Sequence, residues 1–583
     1  MRVALDVVYN HTNASGLNGK SVLDKVVPGY YHRYDTVTGG IVRETCCDDT
    51  EPRNRMMEKF MQDSLVMWAT QYKFDSFRFD IMSQATKDTM LRLESAVKAV
   101  DEDNYFYGEG WIKEDRGYEQ ATQINMAGTQ IGTYNDRIRE AVRQGQIFST
   151  EPSDSALAAQ DNVKMSLAGT LTDYILEDYK GTASATSNIG GYATDPADII
   201  NYVSKHDNET LWDQLQYTLP NDMTLAERVR AQNIAATLPL MSQGIPFFQL
   251  GGDFLRSKSM DRNTYDAGDW FNYVDFTMNS NNWLVGLPLA QDNEGRWAEM
   301  ANFIYSPERA ASMTEIEFAS NVFNELLKIR SSSALFRLTT ANDIIDRIGF
   351  HNIGARQTQG LIVMSIDDGI AADNGEAGEN QTQRADIDPM ADALVVIVNS
   401  SSEQQTHGVP TAQGFELHSV LMNSVDTQVR GASFAQGEGD NEGKGMFTVP
   451  ALTTAVFVKP QMGAQGVGLS AYATSGAPDV VPYGSTSVFV RGAMNGWGEV
   501  DEIAYQGDGV YAAVISIEPG DYEFKVASAD WSTVDFGANN GDESVALGAD
   551  KTLIAGGANL QLSLSQARVL KFTLEASDKS APV

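Results

Sequence analysis

The sequence predicts an α/β chain: a (β/α)8 TIM-type barrel lacking its first strands, then an antiparallel β-sandwich and a second small all-β module. Three observations lead there. Up to about residue 335, short apolar runs alternate with amphipathic stretches, the pattern of repeated strand–helix units. From about residue 340 the apolar period becomes two, as in strands covered on one face. The first apolar run, at 3–9, starts almost at Met1, and the strands that follow are too few to close an eight-stranded barrel.

Each element follows from its local pattern. Residues 3–9 read as a buried parallel strand. Met57, Phe60, Met61, Leu65 and Trp68 recur at helical spacing, so 55–72 is a helix. Strands are expected at 74–81, at Tyr105–Gly108 ending on Glu109, at 199–204 and at 246–250, with helices at 86–100, Asp136–Arg143, Leu225–Met241 and 316–331. The stretch 145–195 reads as long and irregular, with short helices. Beyond 340, strands are expected at 347–350, 360–366, 393–398 and 451–458, with a polar acidic loop at 367–388. A tract rich in Gly, Ala and Ser at 463–478 reads as a flexible linker, and strands resume at 487–491, 509–517, 522–527 and 569–574. The expected domains are therefore 1–335, 336–460, a linker at 461–480, and 481–583.

Composition excludes several functions. The 583 residues carry 43 basic and 78 acidic side chains, a formal charge of −35, which opposes nucleic acid or an anionic membrane as partner. No apolar run is long enough to span a bilayer, and the opening residues lack the pattern of a secretion signal, so Met1 reads as an internal residue of a longer protein. The two cysteines are the adjacent pair Cys46 and Cys47. With no Cys or His at ligand spacing along the chain, they read as packed or half-exposed thiols rather than metal ligands.

Chemistry enters through four short motifs in fixed order. They are Asp6-Val-Val-Tyr-Asn-His11, Phe77-Arg-Phe-Asp80, Tyr107-Gly-Glu-Gly-Trp111 and Ser204-Lys-His-Asp-Asn208. They place Asp80, Glu109 and Asp207, with Arg78, His11 and His206, at the ends of expected strands. Asp80 and Glu109 are one strand–helix–strand step apart, so both face one end of the barrel. Neighbouring strands lie about 4.8 Å apart, compatible with the roughly 5–5.5 Å that separates the two carboxyl groups of a retaining glycosidase. Arg78 precedes Asp80 by two residues and points the same way, which favours an ionised Asp80. Trp111 is expected to give Glu109 the apolar cover of a general acid. Taken singly, each residue has a plainer reading as a strand salt bridge, a solvated carboxylate or a turn; the joint order carries the argument.

These segments resemble the four motif regions of the α-amylase superfamily, glycoside hydrolase family 13, in the form found in its bacterial type I pullulanase branch. Ser21-Val-Leu-Asp-Lys-Val-Val-Pro-Gly-Tyr-Tyr-His32, Gly132-Thr-Tyr-Asn-Asp-Arg-Ile-Arg139 and the run from Leu255 to Asn272 resemble the same branch, so that the likeness covers about 1–460. The resemblance implies a retaining hydrolase of α-1,6 branch linkages in pullulan, amylopectin and limit dextrins. Asp80 would be the nucleophile, Glu109 the acid/base and Asp207 the transition-state stabiliser, with substrate contacts from His11, Arg78, Trp111, His206, Asn208 and Arg262. It implies no organic cofactor, a structural calcium ion at most, a branched α-glucan as partner, a monomer, and a place outside the cell or on a bacterial cell surface. Ser76 stands where the family has Gly, the loop 112–117 departs from the common continuation, and the family's earlier barrel strands and amino-terminal domains are absent. Two other readings stay open: an inactive fragment that only binds α-glucan, and an α-1,4-acting relative.

The last module contains Val488-Phe-Val-Arg-Gly-Ala-Met-Asn-Gly-Trp497 and Tyr522-Glu-Phe-Lys-Val-Ala-Ser-Ala-Asp-Trp531, which resemble small β-sandwiches attached to starch-active enzymes. Trp497 and Trp531 are candidate sugar-stacking platforms, or else ordinary core residues. The turn 535–542 has oxygen donors for calcium, without diagnostic spacing.

Overall fold

The computed structural model describes residues 1–111, 117–370, 385–441, 443–469, 482–484, 486–507, 510–576 and 582–583. Most of the loop at 112–117, of the acidic loop at 367–388 and of the linker at 463–478 lies outside the described residues. The chain divides into two compact units, 1–175 with 185–351 and 358–474, and 176–184 with 352–357 and 475–583.

The first unit opens with six parallel strands paired in sequence order: β1 Ala4–Val7, β2 Ser76–Phe79, β3 Tyr105–Gly108, β4 Gly132–Asn135, β5 Ile199–Asn201 and β6 Ile245–Pro246. Together with the antiparallel sheets after them, these strands make the chain the partial α/β barrel that the sequence predicts. Side chains alternate across each strand. Phe77, Phe79 and Phe106 point outward into a core with Met57, Met61 and Leu65 of helix α1 (Arg55–Gln71) and Met90, Leu93 and Val97 of α2 (Lys87–Lys98). Phe60, expected on the apolar stripe of α1, is exposed, while Trp68 packs edge-on against Phe74. Ser76 lies in the extended backbone of β2, and its hydroxyl donates to Tyr105 O at 2.6 Å, so the departure from Gly costs no backbone strain.

Two elements escape the sequence pattern. The strand β4 is only four residues long and was hidden by the turn-like Thr and Asn within it. Helix α4, Asp154–Leu167, occupies part of the stretch expected to be irregular; α3 is Asp136–Arg143. Its buried face is rich in Ala156, Ala159, Gln160 and Lys164, so hydropathy contrast is weak although Ser153 caps its start. Helix α5 follows at Leu211–Thr218, α6 at Leu225–Met241 and α7 at Met313–Ser332, the last two each opened by a Thr/Ser–Glu capping box.

The sandwich of this unit stacks a five-stranded antiparallel sheet, built on Leu361–Asp367, Ala391–Asn399 and Thr453–Pro460, on a three-stranded one. Phe447 and Phe457 meet between the sheets with ring centroids 5.0 Å apart. The second unit is all-β, with a core of Val488, Val490, Ile503, Phe524, Leu560, Leu562 and Leu574 among others.

Gly108 is required where β2 and β3 meet. A Cβ there would lie 2.6 Å from the Phe79 carbonyl oxygen, which is backbone and cannot move aside. Gly108→Ala is therefore expected to cost about 1–3 kcal/mol, read as a lower urea midpoint with an unchanged slope.

Candidate active site

The inner face of the six strands carries the site. Strand register sets Asp6 beside Arg78 and Arg78 beside Tyr107, a row of three across β1, β2 and β3. Phe79 pairs with Gly108, so Asp80 and Glu109 leave their strands side by side, and Glu109 N donates to Phe79 O at 3.0 Å. Adjacent parallel strands are about 4.8 Å apart, so the two side chains start from neighbouring positions.

Arg78, only 4% exposed, is the hub. Its Nη1 donates to Asp6 Oδ1 at 2.8 Å and to Asp80 Oδ1 at 3.1 Å. Its Nη2 lies 2.8 Å from Glu109 Oε1, an ion pair without the angle of a hydrogen bond. Burial works against this charge, but Glu109 and Asp6 more than offset it and raise the guanidinium pKa further. Asn10 Nδ2 donates to Asp80 Oδ2 at 2.8 Å, fixing the carboxylate from the β1 side. Ile81 N donates to Glu109 Oε2 at 3.0 Å.

Lys205 closes the circuit. Its Nζ pairs with Glu109 Oε1 and donates to Asp207 Oδ2 at 2.8 Å. The Asp207 carboxyl feels burial first, which raises it; Lys205, His206 and Arg78 prevail and hold it below the ordinary carboxylate range. The segment bearing Asp207 is held by buried Lys258, whose Nζ donates to His206 O at 3.1 Å and Asn208 O at 2.6 Å. Asn208 takes the left-handed φ of 62° that Asn tolerates better than most residues. Its Oδ1 accepts from Arg139 Nη2 at 2.7 Å, so its side chain is turned to the protein.

The structure thus brings Arg78, Asp80, Glu109 and Asp207 together, with His206 Nε2 3.6 Å from Asp207 Oδ1. Trp111 stacks on Tyr134 with centroids 6.5 Å apart, and Lys205 Nζ lies 5.9 Å from its ring. The apolar cover expected for Glu109 gives way to two cations, because strand register places Arg78 and the Ser204–Asn208 segment places Lys205 directly against it. Asp6, Asn10 and Lys205 were missed as site residues. All three sit inside the motifs, and Asp6 was findable by counting strand register from Arg78. Arg262 is exposed, and its backbone N–H donates to Asn293 Oδ1 at 3.3 Å.

His11 holds a second surprise. Its Nε2 lies 3.5 Å from Cys46 Sγ, so a histidine does meet the cysteine pair, contrary to the reading from sequence spacing. The two strand segments His11–Thr12 and Asp48–Asp49 pair antiparallel and make the approach. Burial first, then Cys47 and Asp80, push the Cys46 thiol up to about 12.

In the second unit, Trp497 and Trp531 are half-buried rather than core residues, with ring centroids 6.0 Å apart, and Arg491 Cζ sits 4.2 Å over Trp531. Both tryptophans have left-handed φ, 63° and 54°, a conformation that costs about 1–2 kcal/mol for a side chain of this kind. In the turn 535–542, Asp535 pairs with Lys525, and Asp542 with Lys551 at 3.0 Å.

Parallel barrel strands that end in neighbouring carboxylates are an arrangement shared with barrel-type glycoside hydrolases. Residues 278–460 match the family described as alpha-1,6-glucosidases, pullulanase-type, C-terminal. The chain is 38% identical over 501 residues to pullulanase of Klebsiella pneumoniae, covering 80% of this chain and 44% of that protein. It is 37% identical over 508 residues to chloroplastic pullulanase 1 of Arabidopsis thaliana, covering 79% and 51%. The crystal structure of the Klebsiella pneumoniae pullulanase in complex with maltotriose superposes with a TM-score of 0.73 at 37% identity, covering 80% of this chain and 52% of that one. The chain is homologous to these pullulanases over about four-fifths of its own length, and it spans about half the length of the curated relatives it matches.

Two outcomes follow for stability. Arg78→Met leaves the Glu109 side chain, 5% exposed, with Lys205 as its one remaining cation in this site and takes the shared guanidinium from Asp6 and Asp80, an expected loss of about 3–5 kcal/mol in urea unfolding. The depressed Asp207 pKa contributes stability that is present above its unfolded value, about pH 4, and lost as pH falls through the folded value. The gap in urea midpoint between the protein and Asp207→Asn should hold steady from neutral pH down to about pH 5 and shrink below it; a gap that widens on acidification refutes the pairing.

Proposed function

We propose that the site belongs to an endo-acting debranching hydrolase that cleaves α-1,6-glucosidic linkages in pullulan, amylopectin and limit dextrins with retention of configuration. The observation that carries the reading is the side-by-side exit of Asp80 and Glu109 from paired strands, tied by one guanidinium. In this reading the Asp80 carboxylate attacks the anomeric carbon while Glu109 gives a proton to the departing glycosidic oxygen. Water, losing its proton to Glu109, then releases the sugar from Asp80. Asp207 faces the positive charge that develops on the sugar ring. His11 and His206 bond the same ring, Trp111 offers a stacking face, and Arg262 holds further substrate. For Glu109 to arrive protonated, its contact with Lys205 must loosen as substrate enters, with Lys205 moving to Asp207.

The relatives support the substrate class, one of them having been solved with maltotriose. No described helix is long and apolar enough to cross a membrane, and a polymeric substrate favours a place outside the cell or on its surface. The reading needs no organic cofactor. Trp497 and Trp531 favour a second, independent role for their module in holding α-glucan, and they would do so even if the barrel were idle.

Pullulan hydrolysis should yield maltotriose, whereas panose or isopanose would mean α-1,4 cutting. Glu109→Gln should lower kcat about 10²–10⁴-fold, and Asp80→Asn should abolish turnover with the circular dichroism spectrum unchanged. Full turnover in Asp80→Asn would refute the assignment.

A further inference from the structure

We propose that His11 Nε2, Cys46 Sγ and Cys47 Sγ form a binding site for a soft divalent cation of the zinc class on the rim of the active site. Among the described residues, these three ligand atoms lie within 4.8 Å of one another. The spacing is that of a coordination shell. Tetrahedral zinc with bonds of about 2.3 Å to sulfur and 2.0–2.1 Å to nitrogen separates S from N by about 3.5–3.6 Å. The observed His11 Nε2 to Cys46 Sγ distance is 3.5 Å.

The ligands are pre-positioned by a group that takes no part in binding. Buried Asp49 pairs with His11 across the short strands. Its Oδ1 accepts from Thr45 Oγ1 at 2.6 Å and its Oδ2 from Glu44 N at 3.2 Å, which fixes the turn that presents both cysteines. Cys46 is exposed and Cys47 half-buried, and both are free thiols, so a cation has access. On binding, each thiol releases its proton to solvent and the cation gains two thiolates and a neutral imidazole. Three protein ligands leave the fourth tetrahedral position to water. His11 Nδ1 is buried without a hydrogen-bond partner, so the site lacks the outer partner whose loss costs about 10–100-fold in affinity, and reversible binding is expected rather than a permanent structural ion.

A consequence rests on the proposed glycosidase reading. A cation held by His11 withdraws its imidazole from the sugar, so zinc and glucan exclude each other.

The test uses the chain reduced with a phosphine, desalted without oxygen, and shown to have two reactive thiols. Titration with Co²⁺ should give one equivalent bound with a near-ultraviolet sulfur-to-cobalt charge-transfer band. The band should vanish in the Cys46→Ser/Cys47→Ser double variant, while His11→Ala should keep it and weaken binding at least about tenfold. No band in the reduced protein, or a band that persists in the double variant, overturns the site. Zinc should also raise the apparent Kd for maltotriose at least about tenfold in the parent and leave it unchanged in the double variant, since bound ligand shifts a competing equilibrium by mass action. A cobalt band without that antagonism overturns the exclusion and, with it, the placement of His11 on the sugar, while the metal site stands.

Discussion

One buried guanidinium holds the site together. Arg78 reaches Asp6 on the strand before it, Asp80 at its own strand end and Glu109 on the strand after it. An arginine suits this place because it stays charged at any working pH and its planar fork bonds several carboxylates at once. Without it, carboxylates on three adjacent strands would face one another across a few ångströms in a partly buried pocket, and self-repulsion would drive them to protonate or spread. The register of β1, β2 and β3 therefore matters in two ways: it lines up the outward phenylalanines with the helices and the inward charges with one another.

Lys205 extends the network to Asp207, which arrives from a distant part of the chain. That segment has no long strand to fix it. It relies instead on Lys258, a buried cation whose hydrogen bonds to two carbonyls clamp the turn. Burial lowers the Lys258 pKa, and Asp213 is the first of the groups that offset this. Burial in turn pushes Asp213 up to about 6, against donors from Ser257, Lys258 and Met260. A line of partly compensated charges thus runs from the loop at 257–260 to the carboxylate that the sugar would meet. Small displacements of that loop would be felt at Asp207.

The cysteine pair illustrates how spacing along a chain misleads. His11 and Cys46 are 35 residues apart, outside any ligand motif, and they meet only because the short strands at 11–12 and 48–49 pair. The same meeting places a thiol beside the residue expected to touch the sugar. Binding of glucan and binding of a soft cation then draw on one imidazole.

The sequence by itself determined the class of this protein and most of its barrel. Apolar runs and periodicity sufficed for β2, β3, α1 and α2 because their buried apolar side chains recur at the spacing of the element. The motif order sufficed to single out Arg78, Asp80, Glu109 and Asp207, because strand ends are where parallel barrels gather their chemistry. Tertiary structure decided the rest, wherever a residue's meaning depends on a partner far along the chain. Asp6 and Lys205 became site residues only through strand register and loop placement. Glu109 exchanged apolar cover for two cations, and Asn208 turned to Arg139. Helix α4 and strand β4 emerged from segments of low contrast because packing, not propensity, selects structure there. Periodicity records which face of an element is buried; only the fold determines what lies against it.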